Sequence, residues 1–197
     1  MKDICALFVV VSSMFFGSCY IFQIWKKKAV PTISTWIIFL VGCAPSFLTY
    51  VFAEKWDIKS GILNTVDLVY VSMILLAIIL WGKHEVRFRP FEKWYLAGAI
   101  GIVSYGLITG NAWSSNVLTQ ILMSIAYFPM FQKLITQKKN TESFFGWAPA
   151  ALNGLVALYP AVYDGNVLAI IYATRALGLS LLTCLIMAYY QFWKKNI

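Results

Sequence analysis

Residues 20–36, YIFQIWKKKAVPTISTW, close one apolar helix, cross a run of three lysines and open another. Tyr20, Ile21, Phe22 and Gln23 form the aromatic helix end, and Lys26, Lys27 and Lys28 the basic turn. Thr32 and Ser34 follow as hydroxyls suited to capping the next helix, with Trp36 in its first turns and Gly42 deeper in. The same order returns at residues 127–147, YFPMFQKLITQKKNTESFFGW: Tyr127, Phe128, Pro129 and Met130, then Lys138 and Lys139, Thr141 and Ser143, Trp147 and, beyond it, Asn153. Similar residues in one order, 107 to 111 positions apart, predict an internal repeat.

Working outward, apolar windows of about 20 residues, the length a helix needs to cross roughly 30 Å of hydrocarbon, fall near Ile4 to Trp25, Thr32 to Ala53 and Gly61 to Trp81. Four more fall near Trp94 to Gly110, Val117 to Ile135, Phe144 to Tyr163 and Val167 to Trp193. The expected fold is an all-α membrane protein of seven transmembrane helices. Residues 1–82 hold the first three-helix repeat, 83–110 a cytoplasmic loop and linker helix, and 111–197 the second three-helix repeat. Both copies start on the same side, which makes the repeat parallel and requires the linker helix to reset direction. Ala97, Gly98, Gly101, Gly106 and Gly110 would let that linker pack closely on a neighbour.

Charge sets the orientation. Lys26, Lys27, Lys28, Lys83, Arg87, Arg89, Lys93, Lys133, Lys138, Lys139, Lys194 and Lys195 fall on one side, twelve of the sixteen Lys and Arg. Lys2, Lys55 and Lys59 fall on the other, and Arg175 within a span. The positive-inside rule then gives N-out, C-in. The net charge of +8 is thereby explained by topology, with the lysines against an anionic bilayer surface and no nucleic-acid partner implied. The first span lacks a small-residue cleavage pattern and is expected to be retained. Short loops and compact size favour a bacterial inner (plasma) membrane.

Few residues offer chemistry. Cys5, Cys19, Cys43 and Cys184 lie within spans at spacings that match no metal or redox motif, and the only histidine, His84, sits beside Glu85 in a loop. No metal site, cofactor or enzymatic activity is expected. Trp25, Trp81, Trp94, Trp193, Tyr189 and Tyr190 read as interfacial belts. Pro45 and Pro129 interrupt spans and are candidate hinges, whereas Pro149 and Pro160 lie nearer helix ends.

Asp67 and Arg175 are the charges placed deep in spans, in the third helix of each copy and 108 positions apart. Charges at that depth cost roughly 2.5–3.5 kcal/mol each and turn toward partners. Three readings stand at this point: a buried ion pair that locks the halves, a binding site for the two ends of a polar or zwitterionic solute (or for a coupling proton on Asp67), or a shallower Asp67 that meets water. Asn64 and Asn153 are the polar neighbours. Trp36 and Trp147 begin near the cytoplasmic ends of matched helices, as interfacial anchors or as stacking platforms.

The three-one-three parallel arrangement, with a helix ending in a proline just before a basic loop and a Ser-bearing next helix, resembles the SWEET and PQ-loop superfamily of small-solute transporters. Where that family has Pro-Gln at the end of the first helix of each repeat, this chain has Phe22-Gln23 and Pro129-Met130, half of the dipeptide in each copy. The resemblance implies a facilitator or proton-coupled carrier working by alternating access, its solute a sugar, amino acid or vitamin precursor held near mid-membrane by Asp67, Arg175, Asn64, Asn153, Trp36 and Trp147. The alternative is a non-transporting membrane receptor or scaffold of the same fold. A homo-oligomer is compatible with either.

Overall fold

The computed structural model describes residues 1–29, 31, 33–82, 90–140 and 142–193, with only the backbone described at Glu92 and Trp193. Thr32, Lys83, His84, Glu85, Arg87, Arg89, Thr141, Lys194 and Lys195 lie outside the described residues, and the readings made on them stay expectations. The helices are α1 Lys2–Trp25, α2 Ile33–Ala53, α3 Ile62–Trp81, α4 Pro90–Thr109, α5 Ala112–Ile125, α6 Phe128–Gln137, α7 Phe144–Tyr163 and α8 Val167–Ala188. A π-helical turn, Tyr189–Trp193, continues α8.

Among the described residues, five helices are long and apolar enough to cross a membrane: α1, α2, α3, α7 and α8 with its π-turn through Phe192. Their side chains facing away from the bundle are large and apolar, among them Leu7, Phe15, Phe52, Leu76 and Leu185. A surface of that kind is at rest in lipid and not in water, so the chain is an integral membrane protein.

The fifth expected span, Val117 to Ile135, is two helices, α5 and α6, and this corrects the reading of one continuous span. Pro129 is the reason: it has no N–H to offer the Ile125 carbonyl and its ring crowds that carbonyl. The chain therefore breaks at Ala126 and Tyr127, and Pro129 sits in the first turn of α6, where its missing N–H costs nothing. Pro45, by contrast, lies inside an unbroken α2.

Local chemistry sets the other ends. Asn111 accepts from the Ser114 amide, Ser143 from Phe145 and Asn166 from Ala169, capping α5, α7 and α8. Gly110 and Gly165 take left-handed backbone in the turns before α5 and α8. The expected packing role of the linker glycines holds for part of the set. A Cβ at Gly106 would meet Ser115 Oγ at 2.5 Å and one at Gly98 would touch Leu122, but Gly101 and Gly110 face open space.

The helices pair in an order that sequence adjacency does not give. α3 lies against both α1 and α2, and α8 lies against α5, α6 and α7. Between these two groups, α1 packs on α7, α2 packs on α5, and α3 meets α8. α4 packs on α2 and α5, through the buried Tyr95 and Ala99.

Two hydrogen bonds across the seam match each other. Asn153 Nδ2 (α7) donates to Ser13 Oγ (α1) at 2.8 Å, and Gln120 Nε2 (α5) donates to Ser46 Oγ (α2) at 2.8 Å. Gln120 stands 107 positions after Ser13, and Asn153 stands 107 after Ser46. The same amide-to-hydroxyl bond is made twice, each time with the amide on the α5–α8 group and the hydroxyl on the α1–α3 group.

Candidate functional site

Where the two groups meet, a cavity of about 50 Å³ is lined by residues of α2, α3, α5, α7 and α8, with Tyr127 between α5 and α6. Asp67, Arg175, Trp36 and Trp147 all line it. So do Cys43, Tyr70, Tyr127 and Ser180, which sequence reasoning did not select. A volume of this size holds a few waters, since a single water needs roughly 10–15 Å³ measured this way.

Asp67 and Arg175 do not pair with each other. Asp67 Oδ2 accepts the Tyr172 hydroxyl at 2.9 Å, and Arg175 Nε donates to Gln120 Oε1 at 3.0 Å. The Arg175 guanidinium carbon lies 4.6 Å from the centre of the Tyr172 ring, a cation–π contact. Tyr172 therefore touches both charges and stands in for the direct ion pair of the locking reading. Gln120 also ties Arg175 to the seam, because its amide donates to Ser46 and to Asn116 Oδ1. The phenol oxygen of Tyr70 is buried and has no hydrogen-bond partner.

Asn64 and Asn153 do not line the cavity. Asn64 Nδ2 donates to the Ser46 carbonyl and Asn153 Nδ2 to Ser13, so both amide N–H groups serve helix seams, while both amide oxygens are buried without a partner. The Ser46 carbonyl also takes the Asn116 amide at 2.8 Å, and Thr49 Oγ1 donates to the Pro45 carbonyl. Pro45, which leaves the Val41 carbonyl without its usual helical donor, thus lies in a stretch of α2 stitched from the side.

Trp36 and Trp147 are buried at 5 % and 7 % exposure, so the interfacial-anchor reading does not describe them. They belong to an aromatic lid. Phe39 contacts Trp36, Trp147 and Tyr127, the last edge-on at 5.0 Å, and Trp36 also meets Tyr20 and Tyr70. The two tryptophans are 111 positions apart against the 107 of the matched seam bonds, and so stand about one helical turn out of register.

Both ends of the bundle are tied. At the end carrying Lys26–Lys28, Lys133, Lys138 and Lys139, Ser143 Oγ donates to Gln23 Oε1 at 2.7 Å. Beside it, Tyr20 and Lys133 reach Glu142, each at 3.4 Å. At the other end Lys2 and Ser60 both bind Asp164. Asn166 Nδ2 donates to the Tyr50 hydroxyl at 3.0 Å, over a small apolar cluster of Val51, Ala161, Leu168 and Ala169.

Comparison with protein-family models, with curated proteins and with solved structures finds no match for this chain. Among the described residues, the fold and the cavity define an all-helical integral membrane protein with two half-buried opposite charges, Asp67 and Arg175, lining an internal cavity without a direct ion pair.

Proposed function

We propose that the chain is a seven-span carrier of SWEET-like architecture that moves a small dipolar solute by alternating access, with the cavity between its two halves as the binding site. One observation carries this. Asp67 and Arg175 come from different groups of helices, line one cavity, and are each contacted by Tyr172 rather than neutralised by each other. A pair kept only for locking gains most from direct contact, because separate burial leaves both desolvation costs standing. Two charges presented side by side to an internal space suit a solute that carries the complementary charges.

The helix pairings support the repeat reading. Exchanging the first, second and third helix of one half for those of the other turns α1 on α7 into α2 on α5, and leaves α3 on α8 unchanged. The unbroken count of seven comes from taking α5 and α6 as one crossing and α4 as the linker. Under the positive-inside rule the lysine-rich end faces the cytoplasm. Rocking of one half against the other would then open the cavity to each end in turn.

The second reading, a receptor or scaffold, is favoured by the number of ties at both ends. Thermal unfolding of the detergent-purified protein with sugars, amino acids, nucleosides and vitamin precursors separates them. A solute that binds only the folded state raises the melting temperature by mass action. The carrier reading expects one dipolar class to stabilise the wild type and not Asp67→Asn or Arg175→Gln, both folded. A response that survives in both variants removes this pair as the site.

A further inference from the structure

Glu142 is a buried carboxylate that the solute site does not use. Its side chain is 7 % exposed, in the turn between α6 and α7 at the lysine-rich end. Three elements converge on it. Tyr20 from α1 donates its hydroxyl to Oε2, and Lys133 from α6 reaches Oε1 at 3.4 Å. Trp147, from α7, stands near the carboxylate, its indole N–H without a hydrogen-bond partner. Among the described residues, Tyr20 and Lys133 are the titratable groups facing it, and its own turn contributes the neutral Asn140, whose Oδ1 accepts the Glu142 amide. Asn140 in turn donates to Gln191 in the π-turn after α8. Next to it Ser143 holds Gln23.

Trp147 and Tyr20 are also members of the aromatic lid. Trp147 packs on Phe39 and Tyr127, and Tyr20 on Trp36. The carboxylate thus lies beside one aromatic from each group of helices. A change of charge at Glu142 acts directly on these two rings.

We propose that Glu142 is a proton-binding latch at the cytoplasmic mouth: with a proton it stays packed under Tyr20 and Trp147 and the mouth is shut, and on releasing the proton to the cytoplasm it draws in water and the mouth opens. The carrier would thereby couple its inward opening to proton release. The coupling rests on the carrier reading; the latch itself does not.

The sign follows from the surroundings. Burial pushes the Glu142 carboxyl up from its ordinary value, and it outweighs the lowering by Lys133, Tyr20 and Trp147. The shut mouth therefore holds the proton more tightly than a wet, open one. Falling pH stabilises the shut form, and the stabilisation is lost as pH rises through the raised value. Lys133 moderates the shift, since its charge favours the ionised carboxylate.

Pulsed EPR distances test the latch without any solute. Spin labels go on Phe22→Cys in α1 and Ile135→Cys in α6, both exposed, in nanodiscs and with the native cysteines changed to alanine. The distance is expected to lengthen as pH rises, to stay short at every pH in Glu142→Gln, and to move with a midpoint about one pH unit higher in Lys133→Met. A wild-type distance that ignores pH, or a pH response retained in Glu142→Gln, overturns the latch. If Glu142→Gln does not fold, an unchanged midpoint in Lys133→Met overturns it instead. A chain that moves with pH but carries no solute keeps the latch and loses the carrier reading; one that carries solute but ignores pH does the reverse.

Discussion

Tyr172 donates its hydroxyl to Asp67 at 2.9 Å and lays the face of the same ring against Arg175. One side chain thus satisfies one lone pair of the carboxylate and one face of the guanidinium, and leaves the rest of each group for something else. Tyr172→Phe removes the first contact and keeps the second. A hydrogen bond to a charged group is worth about 1.5–3 kcal/mol, so solute affinity should fall at least about tenfold with the fold intact. Calorimetric titration of wild type and variant with the solute found by thermal shift checks this; equal affinities would remove Tyr172 from the site.

Gln120 joins the site to the seam by accepting from Arg175 and donating to Ser46. Gln120→Met leaves a buried guanidinium N–H and the Ser46 hydroxyl without those partners. The expected cost is about 2–3 kcal/mol, larger than for Ser13→Ala, which leaves only the Asn153 amide unpaired. Melting curves of the two variants in one detergent decide the order, and the reverse order contradicts the account.

Gly154 brings α7 against the main chain of α8. A Cβ there would stand 2.9 Å from the Leu177 amide nitrogen and 3.1 Å from its Cα, both main-chain atoms that cannot swing aside. Gly154→Ala should destabilise by about 1–3 kcal/mol through overpacking. Gly101 in α4 has nothing within 4 Å of such a Cβ, so Gly101→Ala should gain up to about 1 kcal/mol of helix propensity. Thermal unfolding of the pair reads the contrast, and a neutral Gly154→Ala would mean that these helices are further apart.

The end opposite the lysine-rich one is acid-labile. The Lys2 ammonium, and after it the Ser60 hydroxyl, hold the Asp164 carboxyl below the usual carboxylate range. A depressed carboxylate contributes stability that is complete above its ordinary value and is lost as pH falls through the depressed one. Melting temperature should therefore drop in acid for the wild type and less for Asp164→Asn, measured across pH 3 to 7 (roughly the range in which carboxylates titrate). Identical acid profiles would show that the tie contributes nothing.

The five long apolar helices were legible because hydrocarbon admits only one kind of sequence at that length, and Asp67 and Arg175 because charge is so rare there. The groups that complete the cavity were not. Tyr70, Tyr127 and Tyr172 look like any membrane aromatics until the fold turns them inward, and Gln120 is one amide among several. Glu142 reads as a loop charge until Tyr20, 122 positions earlier, closes over it. The matched seam bonds were hidden by their own symmetry. Ser13 faces Asn153 and Gln120 faces Ser46, so the 107-residue relation pairs a serine with an amide each time and shows no identity. The eye falls instead on Trp36 and Trp147, which match in kind and miss by a helical turn. Asn64 and Asn153 were chosen for polarity at depth, and seams need that polarity as much as solutes do.

Solute uptake into proteoliposomes, with the same panel of sugars, amino acids, nucleosides and vitamin precursors, tests the central claim most directly. The account predicts saturable uptake of one dipolar class by the wild type, abolished in Asp67→Asn and in Arg175→Gln although both variants reconstitute as folded protein. Uptake that persists in both variants, or binding of the class without any uptake by the wild type, would contradict it.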